Sequence, residues 1–247
     1  MNLRLVPSAR PVLILLALLA ASLASLATAQ IDDRARSLLE GLRPTEVEAI
    51  ETLDQTTVMT VEAQGGAEVR SRTVLDYLGQ RARIDTEVAP GMTATVLIMD
   101  GTLSMVVGGM RLPLPPELGE QFGDVFASDP NDPLAGIESA TFDGPVAYGE
   151  LVAGDQVTVT GATEVAGLDG SEATRYVFGN DGGLLAVASD SGDGATIVMV
   201  FDQPLRGSPA VGRSATMYEL RGEQAQRIAT IRYEDVRINE PIPDDMF

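Results

Sequence analysis

Between Gln80 and Val107 the chain reads QRARIDTEVAPGMTATVLIMDGTLSMVV, and no other stretch limits the possible folds as much. It predicts three consecutive antiparallel strands, over residues 81–88, 93–99 and 102–107, joined by Ala89-Pro90-Gly91 and Asp100-Gly101. Asp-Gly between two β-rich runs signals a hairpin, because both central residues of a type I′ turn need positive φ. In the first strand Arg81, Arg83, Asp85 and Glu87 alternate with Ala82, Ile84, Thr86 and Val88. Side chains repeat every two residues along a strand, so one side is wet and the other apolar. The next two strands are apolar on both sides, which requires that something cover or fill part of the sheet they join.

The same rhythm extends outward. Residues 55–63 and 69–79 flank Gly65-Gly66 as a hairpin leading into this meander. Further strands are predicted over 148–152, 156–165, 173–178, 184–189, 195–202, 215–221 and 227–239, with Asp190-Ser191-Gly192-Asp193-Gly194 as a hairpin loop. Short strands about ten residues apart, separated by turn residues, mark an antiparallel sandwich or barrel. No composition break or repeat divides the chain. We therefore expect an α+β fold, mainly antiparallel β, with a single strongly bent sheet.

Helices are few. Ile31, Ala35, Leu38, Leu39 and Leu42 recur at helical spacing over 31–42, with Asp32 and Asp33 in the first turn, where the helix dipole favours anions, and Pro44 as the stop. A second short helix is expected over 46–53, with Thr45 as N-cap and Glu48 as its capping-box partner. Pro113, Pro115 and Pro116 forbid a central strand in MRLPLPPELGEQFGDVF. A helix from Pro116, carrying Leu118, Phe122, Val125 and Phe126 on one stripe, is expected there, as a core helix or as a movable lid. Residues 127–145 read as irregular. Asp129-Pro130-Asn131-Asp132-Pro133 is a turn, since an EF-hand loop needs Gly and Glu where Leu134 and Ala140 stand.

Composition excludes whole classes of chemistry. There is no Cys and no His, so disulfides, thiolate metal sites, Cys nucleophiles and His general bases are absent. An enzyme would have to rely on carboxylates such as Asp143 and Glu150, or on Tyr, Ser/Thr or Arg. We find no nucleophile elbow, P-loop, dinucleotide fingerprint or HExxH motif. No catalytic residue, cofactor or metal is expected. The formal charge is −19, and every basic residue is Arg. Such a surface repels nucleic acid and anionic bilayers and leaves apolar ligands, neutral partners or basic protein surfaces.

At the N-terminus Arg4 and Arg10 precede or border an apolar run, Pro11 to Leu26, and Ala27-Thr28-Ala29 is a small-residue cleavage site. We read residues 1–29 as a secretory signal peptide, and residues 30–247 as the exported, soluble product.

Several short motifs then coincide: the VLIMDG strand ending in Asp100-Gly101, Leu168-Asp169-Gly170 leading into ATRYVF, and the closing YEDVRINEPIPDDMF. With the signal peptide and amphipathic first helix, this arrangement resembles the periplasmic carriers that take lipoproteins to the outer membrane, the lipoprotein-localisation-factor family. It is also similar to their sister domains, the lipid-binding sensors of envelope stress. The resemblance implies a half-open, unclosed barrel with covering helices, whose concave face receives acyl chains of lipoproteins or lipids. It also implies membrane-bound donor and acceptor proteins. In that family an Arg ahead of the Asp-Gly turn holds the lid helices shut; the matching position is Arg81, with Arg83 facing the same way. Each is either a latch or a solvated surface charge.

The residues support the same function separately, because the two apolar strands and the scattered methionines suit an adaptable oily surface. Val96, Ile98, Met105, Val107, Leu118, Phe122, Phe126, Met199, Phe201 and Ile231 are expected to line the cleft of a monomeric lipid binder. The competing expectation is an envelope sensor or scaffold domain that binds a basic protein partner through its acidic surface.

Overall fold

The computed structural model describes residues 30–45, 49–62, 65–99, 101–112, 126, 129–161, 173–191, 194–207 and 214–247. Its elements in chain order are β1 (Gln30–Ile31), α1 (Asp33–Glu40), β2 (Thr52–Val61), β3 (Ala67–Asp76), β4 (Arg81–Ala89), β5 (Met92–Met99), β6 (Thr102–Val107), β7 (Met110–Leu112), β8 (Ile137–Tyr148), β9 (Val152–Gly161), β10 (Thr174–Phe178), β11 (Leu184–Asp190), β12 (Thr196–Leu205), β13 (Ala215–Arg221) and β14 (Gln224–Ile238). All the strands join one unclosed sheet in the order β1-β8-β9-β10-β11-β12-β13-β14-β2-β3-β4-β5-β6-β7. Every pairing is antiparallel except that of β1 with β8. The expected α+β class, dominated by one antiparallel sheet in a half-open barrel, is what the chain forms.

The hairpin chain β2 to β6 follows the expected meander, β7 adds a short outer strand that was not expected, and Gly101 has the positive φ, 68°, that its turn needs. Asp100 lies outside the described residues. Four further expectations change. Residues 49–51 are irregular and Thr52 already begins β2, so the segment 46–53 is not a helix through its described part. Its backbone is taken up by Asn side chains instead: Asn239 accepts from the N–H of Glu51 (2.8 Å) and donates to the carbonyl of Ala49 (2.7 Å), and Asn131 accepts from the N–H of Ile50 (2.6 Å). The segment 148–152 is the β8–β9 turn, in which the Leu151 N–H donates to the Tyr148 carbonyl.

The irregular stretch 127–145 hides most of β8. Gly144-Pro145 reads as a breaker, yet a bulge at Phe142/Gly144 absorbs it, and β1 pairs only with Ser139 and Ala140, so the missing Pro145 N–H costs no ladder bond. Finally, β1 is a strand of two residues where the helix was expected to begin. The turn at 129–133 is as expected, with Asp129 accepting from the Asn131 N–H. The helix from Pro116 and residues 162–165 and 168–170 lie outside the described residues, except for Phe126.

The helix α1 is capped by Asp32, whose carboxylate accepts from the N–H groups of Arg34 and Ala35. Ala35, Leu38, Leu39 and Leu42 pack with Val157, Val159, Tyr176, Phe178, Val187, Met199, Ala215 and Ile231 into the main core. A second core occupies the opposite side of β10–β12, where Val177, Ala186, Ala188 and Val198 are buried with Tyr148 from the end of β8. Close packing there requires Gly154: a Cβ on it would lie 2.3 Å from the Phe178 carbonyl oxygen.

Candidate functional site

The strand registers carry the α1-covered face across the whole sheet. Ile231 of β14 opposes Met59 of β2, which opposes Val69 of β3. Because paired residues share a face and alternate residues return to it, the same side presents Gln55 and Thr57 of β2, Ser71 and Thr73 of β3, and Ile84 and Thr86 of β4. It continues through Ala94, Val96 and Ile98 of β5, Leu103, Met105 and Val107 of β6, and Met110 and Leu112 of β7. We call this the helix face.

Across β2–β7 no Asp, Glu or Arg of the described strands lies on it. Asp54, Glu68, Arg70, Arg72, Asp76, Arg81, Arg83, Asp85, Glu87 and Arg111 all occupy the opposite face. In a chain of net charge −19 this segregation is a property of the site. Ionised groups keep water at a surface, and their removal leaves one that hydrocarbon can cover at little desolvation cost.

The helix face is filled unevenly. Over β8–β13 it is occupied by α1. Toward β2–β6 one end is closed by a third cluster, Leu53, Leu75, Ala82 and Ile98, with Tyr77, Leu103, Phe126 and Ile238 against it. Tyr77 and Phe126 meet edge to face with ring centroids 6.2 Å apart. Burial, aided by the Asp129 charge, pushes the Tyr77 hydroxyl up to about 12, so this closure stays neutral at any ordinary pH. Beyond it Ile84, Ala94, Met105 and Val107 are only half-buried, and the last strand leaves Met110 66% and Leu112 37% exposed.

The opposite face is built from ion pairs and a strap. Arg72 binds Asp54 through two hydrogen bonds (2.9 and 2.7 Å) and Arg81 binds Asp76 (2.6 Å). The Arg72 hydrogen bond lowers the Asp54 carboxyl below its usual range against the effect of burial. For Asp76 burial acts upward, but the Gly79 N–H and the Arg81 guanidinium outweigh it and the net shift is down. The C-terminal segment then crosses this face. Arg83 donates to the Met246 carbonyl (2.9 Å), and the Arg81 guanidinium stands 4.6 Å from the Phe247 ring centroid. Beneath the segment is a cavity of about 230 Å³, bounded by Asp54, Arg72, Val74, Arg237, Ile242 and Met246.

The expected cleft residues therefore divide. Val96, Ile98, Met105, Val107, Met199, Phe201 and Ile231 all lie on the helix face, and Phe126 packs onto it. Met199 and Ile231 are buried under α1 and Phe201 packs beside them. Val96 and Ile98 are 8% and 7% exposed and form the floor of the other half, while Met105 and Val107 are its open part. Leu118 and Phe122 lie outside the described residues. Arg81 and Arg83 sit on the opposite face, where their described contacts are carboxylates and the C-terminal segment. Asp143 accepts from Thr158 (2.6 Å) and Gln156 (2.9 Å), and Glu150 stands exposed in the β8–β9 turn. No group of His, Cys, Asp and Glu suited to a metal occurs among the described residues.

Sequence reasoning placed Thr86 on the apolar side of its strand but overlooked Thr57, Ser71 and Thr73, which join it as the hydroxyl-bearing part of the helix face. The signal was available in β3, where Glu68, Arg70 and Arg72 alternate with Val69, Ser71 and Thr73.

No family model matches the sequence, and neither does any curated protein. Solved structures to which the chain is similar include a LolA superfamily protein from Nitrosomonas europaea, at TM-score 0.49 and 11% identity over 86% of this chain and 96% of that one. A DUF1329 family protein from Desulfovibrio piger is similar at TM-score 0.47 and 12% identity, over 87% and 98% of the two chains. A third is in the MucA/MucB complex of Pseudomonas aeruginosa, at TM-score 0.22 and 11% identity over 85% of this chain and 58% of that one.

Proposed function

We propose that this protein is an extracytoplasmic carrier or binder of lipids or lipidated proteins, formed by residues 30–247 after removal of a signal peptide at 1–29. Acyl chains lie along the helix face of β2–β7. The observation that carries this reading is the absence of charge from that face in the described strands, beside a row of half-exposed apolar side chains ending at Met110 and Leu112. Burying acyl carbon yields about 0.8 kcal/mol per CH₂, so one 16-carbon chain contributes roughly 12 kcal/mol before ordering costs. A site that enclosed several such chains would not let them go. The half-filled face limits the contact, and hand-off to a membrane-bound acceptor completes release.

The test is native mass spectrometry of protein purified without detergent and then offered palmitoylated lipid. A bound or loaded acyl species is expected. Protein that carries none and loads none overturns the reading.

A further inference from the structure

The helix face is not uniformly oily, and its polar part is arranged. One cross-strand row runs perpendicular to the strands through Thr57, Ser71, Thr86, Ala94, Val107 and Met110. Its first half is hydroxyls and its second half hydrocarbon. The Ser71 and Thr86 hydroxyls are 3.0 Å apart. Whichever donates to the other, the second hydroxyl keeps its own proton for an outside acceptor. Thr57 adjoins Ser71 in the register and is likewise half-buried. At the usual strand spacing the apolar half, from β5 to β7, is about 10 Å long.

On their other face β2, β3, β4 and β7 meet water with Arg, Asp and Glu. Hydroxyls without any charge therefore suit a partner that brings a polar but neutral group. No Arg of the described strands β2–β7 lies on this face to neutralise a phosphate or carboxylate, and the −19 chain would repel one. A carbonyl oxygen accepts from hydroxyls, carries no charge and is joined directly to hydrocarbon in an acyl ester or amide.

We infer that Thr57, Ser71 and Thr86 hydrogen-bond the carbonyl of an acyl ester or amide, so that the ligand is a neutral acylated molecule whose chain runs from β4 toward β7. This rests on the acyl-binding reading above and adds the chemistry of the linkage that is recognised.

The test compares 1-monopalmitoylglycerol with 1-O-hexadecylglycerol, an uncharged pair of equal chain length that differ in the carbonyl. The wild-type protein is expected to bind the ester about tenfold more tightly, the worth of one or two hydrogen bonds. The triple variant Thr57→Val/Ser71→Ala/Thr86→Val removes all three hydroxyls, and is expected to lose that preference while its affinity for the ether stays the same. Equal binding of ester and ether by the wild type, or an ester preference that survives in the triple variant, overturns this inference and leaves acyl binding standing. Failure of both lipids to bind the wild type overturns both. If the triple variant does not fold, the wild-type comparison alone decides.

Discussion

Asn239 fastens one end of the β14–β2 ladder with its side chain. It adopts φ 57°, a region Asn tolerates better than most side chains, and its amide accepts from the N–H of Glu51 and donates to the Ala49 carbonyl. Asn239→Ala is expected to lower stability by about 1 to 3 kcal/mol, from lost hydrogen bonds and from strain at the backbone. Asn239→Gly relieves the strain and isolates the amide. Urea unfolding measures both, and a change of about 0.5 kcal/mol or less for the Ala variant, ordinary for a surface site, would make the amide a bystander.

Asp54 supplies a pH dependence whose sign follows from its lowered carboxyl. The unfolded group titrates near 3.8 and the folded one lower, so the unfolded chain binds more protons through this range. Its contribution is complete above the unfolded value and is lost as pH falls through the folded one. Stability measured from pH 6 to 3 is expected to decline, and less steeply in Asp54→Asn; an unchanged slope would separate the Arg72 pair from acid sensitivity.

At the scale of elements, the C-terminal segment acts as a strap. It runs over Val74, which is 1% exposed, and offers its Met246 carbonyl to Arg83. Deleting residues 240–247 is expected to speed amide exchange in β3 and β4 and to lower Tm. Unchanged protection there would mean that the strap covers nothing that matters. The position of Arg81 and Arg83 was legible in the sequence to one step: alternation placed both on the wet side of β4, and the register agrees. What each touches was not legible, because it depends on where a segment more than 160 residues later in the chain returns. The β8 strand was hidden for a different reason. Gly144-Pro145 breaks most strands, and only an unpaired outer edge makes it harmless, a property of the sheet order.

For the whole molecule, the antiparallel class and the hairpin succession followed from local alternation and turn residues, and the structure has both. The charge-free face did not, since it emerges only when the separate alternations of β2 to β7 are brought into one register. That face yields the decisive binding prediction. Met105→Asp places one carboxylate in the middle of it, and a palmitoylated lipid is expected to bind at least about tenfold more weakly, the cost of burying or displacing an unpaired charge. Retained affinity with an intact fold would put the acyl chain elsewhere.

The sheet order also says when such a chain finishes folding. Its last strand, β14, is inserted between β13 and β2, so synthesis must reach Gln224–Ile238 before the two ladders acquire their shared seam. A polypeptide halted a few dozen residues early carries two separate hairpin stacks with raw edges at β13 and β2, prone to unwanted strand pairing.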